Sequence, residues 1–252
     1  MTKVKICGIT NLEDALVAVE AGADLLGFIF YEPSPRYVRP ETVREIVSGV
    51  KCQVSGDTVQ EAKDRDQRPY APRTTHHVAF VGVFVNSPLD TVAHLLDFCQ
   101  LDAAQLHGEE SPEFVRHFAG RAFKALRPQS PEEAETLIQY YQPPNLLTFQ
   151  PSNLPLLLLD AYHPNLYGGT GHVTDWEMAA SIARRYPIML AGSLTPENVI
   201  EAIRVVQPWG VDVSSGVERQ KGRKDHEKVR ALVEAVRNVN AVKGAEKGST
   251  VS

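Results

Sequence analysis

The chain has 252 residues, 43% of them hydrophobic, and a formal net charge of −5. Its length and apolar content suit one α/β barrel or two small domains, and the mildly acidic balance, without a long basic run, argues against nucleic acid as a partner. Cys7, Cys52 and Cys99 are widely spaced and form no CxxC, which argues against a disulfide scaffold or zinc knuckle and fits a reducing, cytoplasmic setting.

The opening residues, Met1 to Thr10, hold no apolar stretch of signal-peptide length. Nor does any later segment approach the roughly 20 apolar residues of a membrane span. A soluble protein that does not engage membranes is expected.

The first expected strand, Val4 to Cys7, ends in a thiol followed by Gly8 and a helix start near Asn11. A cysteine there is either a small buried hydrophobe, as most free cysteines are, or a reactive group presented by a glycine turn. Further strands are expected at Leu25 to Phe30, Ala79 to Val85, Ala103 to Leu106, Ala122 to Leu126, Leu156 to Asp160, Ile188 to Ala191 and Val211 to Val213. Helical periodicity marks Leu12 to Ala21, Pro40 to Val50, Pro88 to Phe98, Pro112 to Phe118, Pro131 to Tyr141, Asp175 to Tyr186, Pro196 to Val206 and Asp225 to Asn238. Ser87, Ser111, Ser130 and Thr195 each precede a proline, the pairing of a capping residue with proline at the first helical position. Strands apolar on both faces indicate a parallel sheet covered by helices.

Two stretches interrupt this alternation. Lys51 to His77 is polar, charged and proline-bearing, so it is expected to be an exposed excursion on the amino-terminal face, outside the core. Its adjacent His76 and His77 point to opposite sides of an extended chain and are expected to be solvated rather than metal ligands. Gln142 to Asn153, with Pro143, Pro144 and Pro151, is a second insertion. The small, polar tail at residues 241–252 is expected to fray from a single catalytic domain spanning 1–240.

Eight βα units in a chain of this length indicate a (β/α)8 TIM barrel of parallel strands. The alternative, an open doubly wound sheet, lacks its GxGxxG after the first strand. A barrel collects its chemistry at the carboxyl ends of the strands, which nominates Cys7, Arg36, Asn86, His107, Arg127, Asp160, Gly192, Ser193, Asp212, Ser214 and Ser215. The segments AGSLTPENV (Ala191 to Val199) and DVSSGVE (Asp212 to Glu218) follow the last two strands. Their small residues offer backbone N–H groups to an anion, in the place where barrels commonly hold a phosphate. GGTG at Gly168 to Gly171, which includes Gly169, adds a third glycine cluster suited to a mobile lid. A phosphorylated small-molecule substrate is therefore expected.

The segments KICGITNLEDA, GFIFYEPSPRYV, VGVFVN, QLHGEE, the LLLLD run to Asp160 with GGTG, LTPENV and GVDVSSGVE with KGRKDHEKV together resemble the phosphoribosylanthranilate isomerase family of tryptophan biosynthesis. The resemblance runs in order from about Lys3 to Asn238, leaving out the two insertions. One departure is Ala191-Gly192-Ser193, where the family more often has a serine and two glycines. The resemblance implies an Amadori rearrangement of N-(5-phosphoribosyl)anthranilate to 1-(2-carboxyphenylamino)-1-deoxyribulose 5-phosphate, with no metal or organic cofactor. It leaves monomer and homodimer both open.

That reaction needs an acid to protonate the furanose oxygen and a base to remove the C2′ proton from the resulting Schiff base. The resemblance makes Cys7 the base and Asp160 the acid, so the site is expected to favour thiolate at Cys7 and proton retention at Asp160. It also implies that Arg36 holds the anthranilate carboxylate, a task suited to a guanidinium fork, and that Asp212 lies near the anthranilate amine. A structural ion pair is the other reading of Asp212. Gly169, Gly192, Ser193, Ser214 and Ser215 are assigned to the phosphate, and His107 to a supporting role. Another phosphosugar barrel would share the phosphate loops but is expected to use paired acids, and a non-catalytic barrel would have no need of competent residues at these positions.

Overall fold

The computed structural model describes residues 1–55, 77–118, 120–141, 154–160 and 173–248. Eight parallel strands close a barrel: β1 (Lys3–Cys7), β2 (Leu25–Ile29), β3 (Ala79–Phe84), β4 (Ala103–Leu106), β5 (Ala122–Leu126), β6 (Leu157–Asp160), β7 (Ile188–Ala191) and β8 (Gly210–Val213). They alternate with α1 (Leu12–Ala21), α2 (Pro40–Ser55), α3 (Leu89–Phe98), α4 (Pro112–His117), α5 (Pro131–Tyr141), α6 (Val173–Ala183), α7 (Val199–Val206) and α8 (His226–Gly248). After β8, a 3-10 turn at Ser215–Val217 leads into a small antiparallel hairpin, β9 (Glu218–Gln220) and β10 (Arg223–Lys224). The barrel is as expected, and the alternative of an open sheet is ruled out by closure of β1 on β8, with Lys5 opposite Asp212.

Side chains alternate between two cores because successive strand residues face opposite sides of the sheet. Val4, Ile6, Leu26, Phe28, Val211 and Val213 join the larger core between sheet and helices. Leu25, Val81, Ala103, Phe123, Leu158 and Met189 fill the barrel interior. Continuing each inward row toward the carboxyl end of its strand leads from Leu25 to Gly27, from Ala103 to Gln105 and from Leu158 to Asp160. The barrel is therefore apolar below and polar at the top.

The helix boundaries differ from expectation in several places, among them α6, which spans Val173–Ala183 rather than Asp175 to Tyr186. Helix α2 continues past Val50 to Ser55, and the ammonium of its Lys51 bonds the Gln100 side chain at 3.1 Å. Ser87 caps nothing: α3 starts at Leu89 behind Pro88, which makes no side-chain cap bond. Ser111 does cap α4, accepting from Phe114 N at 3.3 Å, and Ser130 accepts from Glu133 N at 3.1 Å. Helix α7 begins at Val199 rather than Pro196, because Asn198 spends its amide on a turn, accepting from Thr195 N at 2.8 Å and donating to Ser193 O at 2.9 Å. Helix α8 runs through Gly248, beyond the Asn238 limit, across alanine, lysine and glutamate residues of high helix propensity. Its Asn240 is buried and both accepts from Thr2 N at 2.7 Å and donates to Thr2 O at 3.0 Å. Residues 56–76 and 142–153, with most of both expected insertions, lie outside the described residues.

Buried carboxylates fasten the two ends of the barrel sequence together. Asp24 accepts from Val4 N at 2.8 Å, from Lys3 at 3.0 Å and from Arg237 at 2.8 Å. Burial works against its ionisation, but these donors outweigh burial and hold its carboxyl below the usual carboxylate range. Asp14 is held down likewise, against burial, by Lys224 N, His226 and Asn11. A carboxyl depressed in the folded state contributes stability above its unfolded pKa, and that contribution is lost as pH falls through the folded pKa. The midpoint of thermal unfolding is therefore expected to fall steeply once pH drops below about 4. Scanning calorimetry against pH should show a shallower acid decline for Asp24→Asn than for the parent chain.

Candidate active site

The carboxyl end of β1 is shaped by two glycines. A Cβ on Gly27 would come within 2.8 Å of Cys7 Sγ and 3.1 Å of Lys5 Cε, so only glycine on β2 leaves room for both side chains. Gly8 has φ +75°, and a Cβ there would meet Arg36 Cδ at 2.7 Å. The strand end is thus bare enough for the Arg36 stem, from the loop between β2 and α2, to cross over it.

Lys5 and Cys7 share the inward face, two residues apart. The Lys5 ammonium is wholly buried and donates to Gln105 Oε1 at 2.7 Å and Asp212 Oδ2 at 3.0 Å, and its stem lies beside the Cys7 sulfur over Gly27. Burial disfavours its charge, but Asp212 and Cys7 more than offset this and its pKa stands above the ordinary lysine value. Asp212 Oδ1 is buried without a hydrogen-bond partner. Cys7 departs from expectation. Burial pushes its thiol above the ordinary range, Lys5 and Lys224 pull it down and Asp212 pushes it up again. The net balance favours the thiol over the thiolate.

Arg36 is already half engaged. Its Nε and Nη2 donate to the two oxygens of Glu218, each at 2.7 Å, and this pairing raises its pKa. A guanidinium has five N–H donors, so the edge formed by Nη1 and the second Nη2 hydrogen stays outside that pair. Glu218 also accepts from Lys224 and from Gly222 N, both at 3.3 Å, while Lys224 donates to Ser214 O at 3.0 Å. The β9–β10 hairpin therefore ties the arginine loop to the loop after β8.

Asp160 ends β6, with 30% of its side chain exposed. Its Oδ2 lies 3.5 Å from both His107 Nε2 and Arg127 Nε. Arg127 Nε is also 3.1 Å from His107 Nε2, and Gln105 Nε2 is 3.1 Å from His107 Nδ1. The loop bearing His107 is braced from behind. Asn86, at φ 51°, accepts from Glu109 N at 2.6 Å, and buried Glu110 accepts from Asn86 N at 2.9 Å and pairs with buried Lys124 at 3.2 Å. Asn86 is thus a brace rather than a site residue.

At the far side of the mouth a Cβ on Gly216 would lie 1.9 Å from Leu194 O. The loops after β7 and β8 consequently touch backbone to backbone. Gly192 at φ 97° and Ser193 at φ 48° both take the left-handed conformation, and Ser193 and Ser215 are exposed. Ser214 Oγ is buried without a partner, close to Gly8. Gly169 lies outside the described residues. Among the described residues no cluster of His, Cys, Asp or Glu is arranged to hold a metal ion, and no helix is long and apolar enough to cross a membrane.

The family model for N-(5'-phosphoribosyl)anthranilate isomerase matches residues 57–235. The chain belongs to this family. It is 46% identical over 233 residues to the N-(5'-phosphoribosyl)anthranilate isomerase of Geobacter sp. (strain M21), covering 92% of this chain and 97% of that relative. The crystal structure of phosphoribosyl anthranilate isomerase from Thermotoga maritima superposes with a TM-score of 0.73 at 38% identity, covering 94% of this chain and all of that one. A further phosphoribosyl anthranilate isomerase structure, in complex with reduced 1-(o-carboxyphenylamino)-1-deoxyribulose 5-phosphate, gives a TM-score of 0.70 at 36% identity over 94% of this chain and 100% of that one. Within the family, sequence reasoning nominated the strand-end groups but missed Lys5, Gln105, Glu218 and Lys224. Period-2 alternation from Cys7 and His107 was a usable signal for the first two. Glu218 and Lys224 carry no such signal, since their partners come from distant segments.

Proposed function

We propose that this chain isomerises N-(5-phosphoribosyl)anthranilate to 1-(2-carboxyphenylamino)-1-deoxyribulose 5-phosphate by general acid/base catalysis, with Asp160 as acid and Cys7 as base. The observation that carries the assignment of roles is a thiol and a carboxyl on the inward rows of β1 and β6, separated around the barrel mouth only by β7 and β8. Asp160 protonates the furanose oxygen, the ring opens to the Schiff base, and Cys7 thiolate removes the C2′ proton; the enolamine then tautomerises to the ketone. The aromatic amine N–H supplies a donor for Asp212 Oδ1. The anthranilate carboxylate meets the outer edge of the Arg36 guanidinium, and the phosphate takes the backbone N–H groups of Gly192, Ser193, Ser214 and Ser215, with Gly169 contributing from the loop after β6. All these groups belong to one chain, so the reading holds for a cytoplasmic monomer or homodimer alike.

The test is loss of phosphoribosylanthranilate fluorescence on adding the purified chain, with the corresponding aminoaldose of histidine biosynthesis as the control substrate. Turnover of the control alone would assign the chain to the other class of phosphosugar isomerase. Arg36→Met should raise KM by about 10- to 100-fold, the worth of a hydrogen bond to a charged group. Its kcat should change less, because the carboxylate is bound in ground and transition states alike. An unchanged KM would remove Arg36 from the carboxylate site.

A further inference from the structure

Resting on the acid/base reading above, we propose that Lys5 is a positioning residue for both members of the pair: its ammonium sustains the Cys7 thiolate directly and, through Gln105, orients His107 toward Asp160. The first half follows from donor arithmetic. A lysine ammonium has three protons: Asp212 Oδ2 at 3.0 Å and Gln105 Oε1 at 2.7 Å accept two, and the third is left for Cys7 Sγ, which crowds the same space over Gly27 as Lys5 Cε. The charged groups around Cys7 come from several elements: Lys5 beneath it on β1, Asp212 on β8, Lys224 on β10 and Arg36 from the loop after β2. Lys224 and Arg36 share the carboxylate of Glu218. Lys5 is the cation whose stem shares the space over Gly27 with the sulfur. It is wholly buried, where opposite charges are little screened.

The second half is a matter of tautomers. An ammonium cannot accept, so the Gln105 oxygen must face Lys5 and its amide NH2 must face His107 Nδ1. Neutral imidazole has one lone-pair nitrogen. With Nδ1 accepting from Gln105, the ring proton sits on Nε2, beside Asp160 Oδ2 at 3.5 Å. Arg127 Nε, from a side chain 54% exposed, donates to Nε2 at 3.1 Å and lies 3.5 Å from Asp160 Oδ2; in this tautomer its N–H turns from the ring nitrogen to the carboxylate. Two N–H groups thus await the carboxylate that Asp160 becomes after giving up its proton. Lys5, fixed on one inward row, connects to both ends of the chemistry.

Alkylation of Cys7 by iodoacetamide, followed by mass spectrometry of its peptide across pH, reads the thiolate without any turnover. Lys5→Met should shift that profile upward by about 1–3 pH units, the usual effect of an opposite charge at this range. It should lower kcat/KM at neutral pH by roughly tenfold for each unit of the shift, with KM little changed. Gln105→Leu should leave the alkylation profile in place, lower kcat by roughly tenfold, as expected for loss of one hydrogen bond to a charged group, and move the limb of the kcat profile that alkylation does not track. An unmoved alkylation profile in folded Lys5→Met overturns the first half, and an unchanged kcat in Gln105→Leu overturns the second. Should Lys5→Met not fold by circular dichroism, the uncharged Lys5→Gln takes its place in the alkylation measurement with the same expected shift and the same overturning result, and Gln105→Leu decides the second half independently. A parent chain that fails to consume the aminoaldose sinks instead the acid/base reading beneath the proposal.

Discussion

Cys7→Ala is expected to lower kcat by at least roughly 10²-fold, the scale of a lost general base, which corresponds to about 2.7 kcal/mol of transition-state stabilisation. The pH profile carries the sharper signature. Burial lifts the thiol above its ordinary range while Lys5 and Lys224 oppose the lift, so the thiolate fraction grows with pH and the rise of kcat/KM with pH belongs to Cys7. That rise should disappear in Cys7→Ala. Substrate should still bind, because Arg36 and the loops after β7 and β8 do not depend on the sulfur. The cavity left by a thiol against Gly27 is small, so the variant should melt close to the parent. Turnover near the parent rate would remove Cys7 from the mechanism while leaving family membership intact.

Asp160→Asn is the complementary loss and is expected to be at least as severe, since ring opening precedes proton abstraction and an amide cannot deliver a proton to the furanose oxygen. A fall in kcat of roughly 10²- to 10⁴-fold is anticipated, with the rise toward higher pH retained and the fall removed. The side chain is 30% exposed and 3.5 Å from each of its cationic or N–H neighbours, so the substitution strands no buried charge. Stability should therefore change by less than about 1 kcal/mol. A substrate supplied as the open-chain Schiff base tautomer would bypass the acid, and partial rescue by such a compound would place the defect at ring opening. Rescue of Cys7→Ala by the same compound would contradict the division of roles.

Strand positions were legible because each apolar run is short, bounded by glycine or polar turns, and repeated. Ala103 to Leu106, Ala122 to Leu126 and Ile188 to Ala191 were placed to the residue. Helix starts were harder where side chains had competing uses. Thr195 before Pro196 carries the same local signal as Ser111 before Pro112, yet the Asn198 amide diverts the first segment into a turn. At the site, position at the carboxyl end of a strand could be read from the succession of strands and turns, which puts Cys7, Asp160 and Asp212 at the barrel mouth. Protonation could not. The balance that raises the Cys7 thiol depends on how deeply it is buried and on Asp212, which is 205 residues away in sequence. For the same reason Glu218 went unnoticed, its partner Arg36 lying 182 residues earlier.

The pairing of Arg36 with Glu218 bears on how this barrel can change its substrate. Glu218 is nearly buried and also receives Lys224, which in turn holds Ser214 O, so the arginine cannot be exchanged as an independent module. Replacing it by an uncharged residue shifts the whole burden of neutralising Glu218 onto Lys224 and loosens the carbonyl next to the phosphate loop. Substitutions at residues 36, 218 and 224 should accordingly be strongly non-additive. Any lineage that abandons an aromatic carboxylate for another substrate group would be expected to alter these positions together, and laboratory evolution of new specificity should begin from libraries that vary all three at once.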